Sequence, residues 1–208
     1  MRSKNKKPFY WDLGLNKFLT QREVVKLKTC LKQRLDSDRS NRLNWVEWFF
    51  IELGLNSGMR VSELANVRCG DIHIRDELSF IHVRRGKGGK SRQIVINKAF
   101  CDNYKEFIDW KLKTGEKVGI DDYLLYSPKS KNGYSARGLE YAFKRCVSMA
   151  KIDTNHCPHH LRHTHASLLL ISSQQNELAV QKQLGHSSSK TTKIYTHLFS
   201  HVINNAVE

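Results

Sequence analysis

Between Asp71 and Ile96 the apolar residues alternate with polar ones in three short runs, HIR, LSFIHV and QIVI, whereas on both sides they recur at three- and four-residue spacing. That change of period constrains the chain to helices before and after a small antiparallel sheet, a mainly α fold with a minor β component (α+β). The glycine-rich turn Arg85-Gly86-Lys87-Gly88-Gly89-Lys90 joins the last two runs as a basic hairpin. Upstream, Thr20 with Glu23 makes a capping box that opens a helix carrying Val24, Leu27, Leu31 and Leu35 and running to about Asp36. Leu43, Val46, Phe49, Phe50 and Leu53 write a second helix, which Gly54 to Gly58 are expected to loosen before a short helix begins near Arg60. Downstream, helices are expected over 97–113, 135–150, 158–173 and 176–184, followed by a short one containing Tyr195.

What such a chain acts on is narrowed by its charge. Lysine and arginine number 35 against 20 acids, a formal net charge of +15, which calls for a polyanionic partner, nucleic acid first. No run approaches the ~20 apolar residues of a spanning helix, so membrane attachment is not expected. Residues 1–17 read as a basic lead-in with no apolar segment of a secretory signal, so a bacterial or nuclear-type cell interior is the expectation. Five cysteines, odd in number and never two residues apart, suggest reduced and mostly buried thiols rather than a disulfide framework or a zinc ribbon. No repeat or linker divides the chain, so one domain is expected.

Three groups of residues have the chemistry to hold a phosphate. In Ser57-Gly58-Met59-Arg60-Val61-Ser62-Glu63-Leu64 an arginine emerges from a glycine turn at a helix start, where backbone amides and a guanidinium fork both suit an anion; Glu63 is expected to buttress Arg60 or the shell of the site. Alone, Arg60 would more commonly be a surface or salt-bridged arginine. In Pro158-His159-His160-Leu161-Arg162-His163 the proline suits a first helical turn and sets His159 and Arg162 three apart on one face. Leu161 and Leu168 then face the core, leaving a wet side for a substrate. In the stretch from Leu184 to His197, Gly185 ends one helix and Thr191 or Thr192 caps the next, so that His186 and Tyr195 flank a turn. By itself Tyr195 would more commonly be a half-buried aromatic.

Zinc is the competing reading of the second group, because His156, Cys157, His159, His160, His163 and His165 fall within ten residues. Against it, the His159/His163 pair lacks the intervening glutamate of H-E-x-x-H, and no separate cluster of carboxylates or cysteines offers further ligands. No metal site and no cofactor is expected.

Taken together, the groups resemble the tyrosine recombinase (phage integrase) family. Its pattern runs from an arginine in T/S-G-x-R-x-S-E-L through a lysine in a G-K-G hairpin, H-x-x-R and L-G-H to a tyrosine nine residues later. All five stations occur in order, over about residues 18–199, which would form the family's catalytic-domain fold, with 200–208 a tail. The resemblance implies that Arg60 and Arg162 bind the non-bridging oxygens of a scissile phosphate and that Lys87 protonates the departing 5′-oxygen. His159 would assist proton transfer from Tyr195, His186 would donate a hydrogen bond to the phosphate, and Tyr195 would attack phosphorus to give a 3′-phosphotyrosyl link. Lys90 and Arg92 would contact DNA backbone phosphates, while His163 and His197 would pack or touch the backbone.

These roles fit the chemistry. Attack loads negative charge onto the equatorial oxygens, which two fixed guanidinia stabilise. A tyrosine with a free pKa of ~10 needs a neighbouring imidazole and a cationic field to ionise. The resemblance further implies double-stranded DNA as partner, a homo-tetramer joining two DNA sites from a monomer in solution, and a bacterial, nucleoid-associated, cytoplasmic setting. Members usually carry a helical DNA-clamping domain ahead of the catalytic one. Here only about seventeen residues precede it, so the expectation is either a minimal recombinase or a catalytic fragment. A type IB topoisomerase, a DNA-binding relative that has lost cleavage and a zinc-binding structural module are the alternatives.

Overall fold

The computed structural model describes residues 18–84, 91–174 and 176–185. Its first helix, α1 (Gln21–Ser37), starts where expected: the Thr20 hydroxyl accepts from the Glu23 amide at 3.2 Å, and the Glu23 carboxylate accepts from the Thr20 amide at 2.8 Å. Leu27, Leu31 and Leu35 form its buried stripe against α2 (Arg42–Ser57).

Helix α2 is the hub of the molecule. Nearly all of it is buried, because α1, α4 (Lys98–Lys113), α5 (Ala136–Met149) and α6 (Pro158–Ser172) pack around it. The expected loosening at Gly54 does not occur. The helix runs to Ser57, and Gly54 instead lets α6 approach, since a Cβ there would lie 2.7 Å from Leu161 Cδ1. The break comes at Gly58, whose φ of 59° is a left-handed conformation that caps the helix. Glu47, fully buried in the middle of α2, is satisfied by Arg34 of α1 at 2.5 Å and Arg145 of α5 at 2.6 Å, so that one carboxylate ties three helices.

After the short helix α3 (Val61–Asn66) and a 3₁₀ turn (Cys69–Asp71) come strands β1 (Ile72–His73), β2 (Phe80–Val83) and β3 (Arg92–Val95). They form an antiparallel sheet in the order β1-β2-β3, with Ile81 opposite Ile94 and Val83 opposite Arg92. The alternation legible in the sequence sets this register: Ile81, Val83 and Ile94 point to the core. A second, two-stranded sheet, β4 (Tyr126–Ser127) with β5 (Asn132–Gly133), had no alternating run to announce it. The chain then forms α5, α6 and α7 (Glu177–Leu184), and Gly185 follows with a φ of 67°.

On α6, Leu161 is buried as expected, but Leu168 is 40% exposed. The buried side is instead Leu161, Arg162, Thr164, His165 and Ala166, because α6 is embraced by α2 on one side and α7 on the other. Cys69, Cys101 and Cys146 are buried and all five thiols are unbridged. No helix among the described residues is long and apolar enough to cross a membrane.

Candidate active site

Three elements that are remote in sequence meet at the C-terminal end of α2. The left-handed turn at Gly58 redirects the chain so that Arg60 becomes the N-cap of α3 in extended conformation. The Arg60 amide, expected to face an external anion, donates instead to Glu63 Oε2 at 2.9 Å, and Arg60 Nη1 donates to Glu63 Oε1 at 3.0 Å. Glu63 thus buttresses Arg60 as expected, fixing both its backbone and its guanidinium.

Arg162 reaches the same place from α6. The wet face anticipated for this helix does not include it: the side chain is buried, with Nη1 donating to the Gly58 carbonyl at 2.7 Å and Nη2 to the Leu184 carbonyl at 2.8 Å. Both acceptors are carbonyls near helix ends, where backbone oxygens lack helical partners and carry the negative end of the dipole. A buried guanidinium is therefore held in plane by backbone carbonyls at the ends of α2 and α7.

His159 stands in the first turn of α6, exposed at its rim, with its ring edge-on to His163 at 4.8 Å between centroids. Partial desolvation, followed by the charges of Arg162 and Arg60, holds its pKa below the usual imidazole value. At neutral pH it is thus a neutral ring, the form able to accept a proton. That Arg162 and Arg60 both act on His159 places the three expected site residues in one field.

Arg92 departs from expectation. Its side chain, expected on a DNA phosphate, is only 10% exposed and turns inward. Nη1 and Nη2 donate to the two oxygens of Glu63 at 2.9 and 2.8 Å, and Nε donates to the Gln183 carbonyl at 3.1 Å. Burial opposes ionisation of Glu63, yet hydrogen bonds from Arg92 and the Arg60 amide, with the two guanidinium charges, hold its carboxyl below the ordinary value.

The histidines that suggested zinc are spent differently. His156 Nδ1 lies 2.7 Å from His160 Nδ1. His165 is buried with Nδ1 2.8 Å from the Leu55 carbonyl, and its Nε2 has no hydrogen-bond partner among the described residues. Burial drives the His165 pKa down to about 4, so the neutral ring donates from Nδ1 to that otherwise orphaned helix-end carbonyl. Only its place in the histidine cluster drew attention to His165 in the sequence. Among the described residues, no three His, Cys, Asp or Glu side chains converge as ligands would. Lys87, Lys90, His186, His197 and Tyr195 lie outside the described residues.

With this geometry in hand, residues 17–201 match the model of the phage integrase family. The chain belongs to that family. Among curated phage integrase relatives it is 34% identical over 162 residues to tyrosine recombinase XerC of Caldanaerobacter subterraneus subsp. tengcongensis, a match covering 77% of this chain and 44% of that protein. It is 31% identical over 183 residues to tyrosine recombinase XerA of Thermococcus kodakarensis, covering 88% of this chain and 58% of the relative. This member of the family therefore spans about half the length of the curated relatives it matches. Solved structures share the fold: the XerH site-specific recombinase bound to palindromic difH substrate superposes with a TM-score of 0.72 at 22% identity, over 91% of this chain and 52% of that one. A XerA recombinase superposes with a TM-score of 0.68 at 25% identity, over 86% and 60% of the two chains.

Proposed function

We propose that this chain is the catalytic unit of a site-specific DNA recombinase that breaks and rejoins strands through Tyr195. The observation that carries the reading is the convergence of Arg60, Arg162 and His159 in one polar site of a phage integrase family member. Arg60 and Arg162 hold the non-bridging oxygens of the scissile phosphate and stabilise the charge that grows there during attack. Tyr195 Oη attacks phosphorus while its proton leaves with the help of neutral His159. The bond to the 5′-oxygen breaks, that oxygen takes a proton from Lys87, and a 3′-phosphotyrosyl ester remains. His186 donates a hydrogen bond to the same phosphate. Attack by a DNA 5′-hydroxyl reverses the link, so the phosphodiester bond energy is conserved. Lys90 contacts the DNA backbone.

The substrate is double-stranded DNA, to which the excess of 35 basic over 20 acidic side chains is suited. Four copies assemble across two DNA sites from a monomer in free solution, and the setting is the bacterial cytoplasm at the nucleoid. A stable tetramer in light scattering without DNA would contradict this assembly.

The deciding experiment incubates the protein with a pool of nicked duplexes of randomised central sequence and looks for a covalent protein–DNA adduct on a denaturing gel. The adduct is expected with the unmodified chain and absent in Tyr195→Phe. An adduct that survives the substitution overturns the mechanism.

A further inference from the structure

Hydrogen bonds join the two arginines of the site into a closed ring. Arg60 is held by Glu63, Glu63 by Arg92, and Arg92 by the Gln183 carbonyl. The next carbonyl along α7, that of Leu184, accepts from Arg162, whose other arm returns to Gly58, two residues before Arg60. Within this ring each Glu63 oxygen is shared. Oε1 accepts from Arg60 Nη1 and Arg92 Nη1, and Oε2 accepts from the Arg60 amide and Arg92 Nη2. Arg92 is the inner partner at 10% exposure and Arg60 the outer one at 27%.

This arrangement resolves an electrostatic conflict. A carboxylate touching Arg60 orients it but also cancels its charge, and an arginine so neutralised is a poor phosphate ligand. A two-pronged ion pair from a buried guanidinium satisfies the carboxylate from behind and restores one net positive charge to the group. We infer that Arg92 is a positioning residue that neutralises Glu63, so that the carboxylate aims Arg60 at the phosphate without cancelling its charge. The inference rests on the reading of Arg60 as a phosphate ligand in the proposed recombinase. It differs from a rivet between β3, α3 and α7, because a rivet would act through shape and this acts through the charge of Glu63.

The test titrates the whole 208-residue chain with inorganic phosphate, followed by the imidazole resonances of His159, and measures the rate of covalent adduct formation in parallel. Arg92→Gln is expected to weaken phosphate binding roughly tenfold, the order of one hydrogen bond to a charged group. Adding Glu63→Gln should recover most of that loss, because the uncompensated carboxylate is then gone. A double variant as weak as Arg92→Gln or weaker overturns the proposal. Should Arg92→Gln fail to fold, Arg92→Lys decides: it keeps the charge but not the fork, and is expected to bind phosphate close to the unmodified affinity, whereas a tenfold loss would leave only the rivet. An unmodified chain that does not bind phosphate at this site also overturns it. A chain that binds phosphate and shows the rescue but forms no adduct defeats the recombinase reading alone.

Discussion

The middle of α2 and its C-terminal end are built on opposite physics. In the middle, Phe49 stacks on Phe107 at 4.1 Å and 4°, and Trp45 on Trp110 at 5.3 Å and 11°, so that α2 and α4 meet through aromatic faces. At the end, the carbonyls of Leu55 and Gly58 accept from His165 and Arg162, and the chain turns into Arg60. The first region is held by area removed from water, which any well-shaped apolar group supplies. The second is held by directed bonds to particular atoms, which only a side chain with a donor in the same place can reproduce. Damage to the middle should therefore appear as lost stability alone, and damage to the end as lost chemistry as well.

The largest expected effect breaks the apolar side. Phe49 has no exposed surface, and Phe49→Ala removes a ring from between Trp48, Phe100, Tyr104 and Phe107. A loss of about 3–5 kcal/mol is expected in urea unfolding. The rate of the proposed DNA cleavage per folded molecule should not change, and a parallel fall in that rate would erase the division between the two regions.

Next comes the polar side. Arg162→Lys keeps the charge but cannot span the carbonyls of Gly58 and Leu184 with a planar fork. Adduct formation should fall by about 10²–10³-fold, the range for losing one preorganised donor at a developing anion. Duplex binding by the same variant, measured by fluorescence anisotropy, should fall far less.

The same division governs what could be read from the sequence. The helical stripe of Leu27, Leu31 and Leu35 and the alternation around Ile81 and Ile94 were legible because a buried face imposes its period on the residues themselves. Arg60, His159 and Arg162 were legible as a pattern, but the burial of Arg162 was not, because its acceptors are backbone carbonyls 104 and 22 residues away. Nor was the inward turn of Arg92: its carboxylate partner lies 29 residues upstream, and no local signal separates an arginine facing DNA from one facing Glu63. Gly54 misled for a related reason, since the close approach of Leu161 that explains it is a tertiary fact.

Acid tests the polar end in a third way. The pKa of His165 is about 4 in the folded protein against an ordinary 6.5, so the unfolded chain takes up a proton first as the pH falls. Stability should drop between about pH 6.5 and pH 4 by at most roughly 3 kcal/mol and level off below, as far as this residue is concerned. Glu63, whose carboxyl is held below its ordinary value, adds its own loss at lower pH, as it is protonated out of its pairs with Arg92 and Arg60. His165→Gln, which can still donate to the Leu55 carbonyl, should flatten the upper part of the curve and leave the lower part. An unchanged slope between pH 6.5 and pH 4 would assign the acid sensitivity elsewhere.

The smallest effect asks whether a directed bond far from the site behaves like those within it. Thr20 caps α1 reciprocally with Glu23, and the preceding residue, Leu19, donates its amide to Thr164 Oγ1 at 2.9 Å, one residue from His165 on α6. If polar bonds mattered for chemistry wherever they occur, loosening this cap would reach the site through Leu19. The Thr20 hydroxyl, however, is exposed and exchanges readily with water, whereas the Leu19–Thr164 bond is buried and retained by the packing of Leu19. Thr20→Ala is accordingly expected to cost about 1 kcal/mol in thermal unfolding and to leave the rate of adduct formation as it was. A slowed reaction in this variant would mean that α1 is mechanically part of the site, and that the boundary between the two regions lies along α6 rather than at the end of α2.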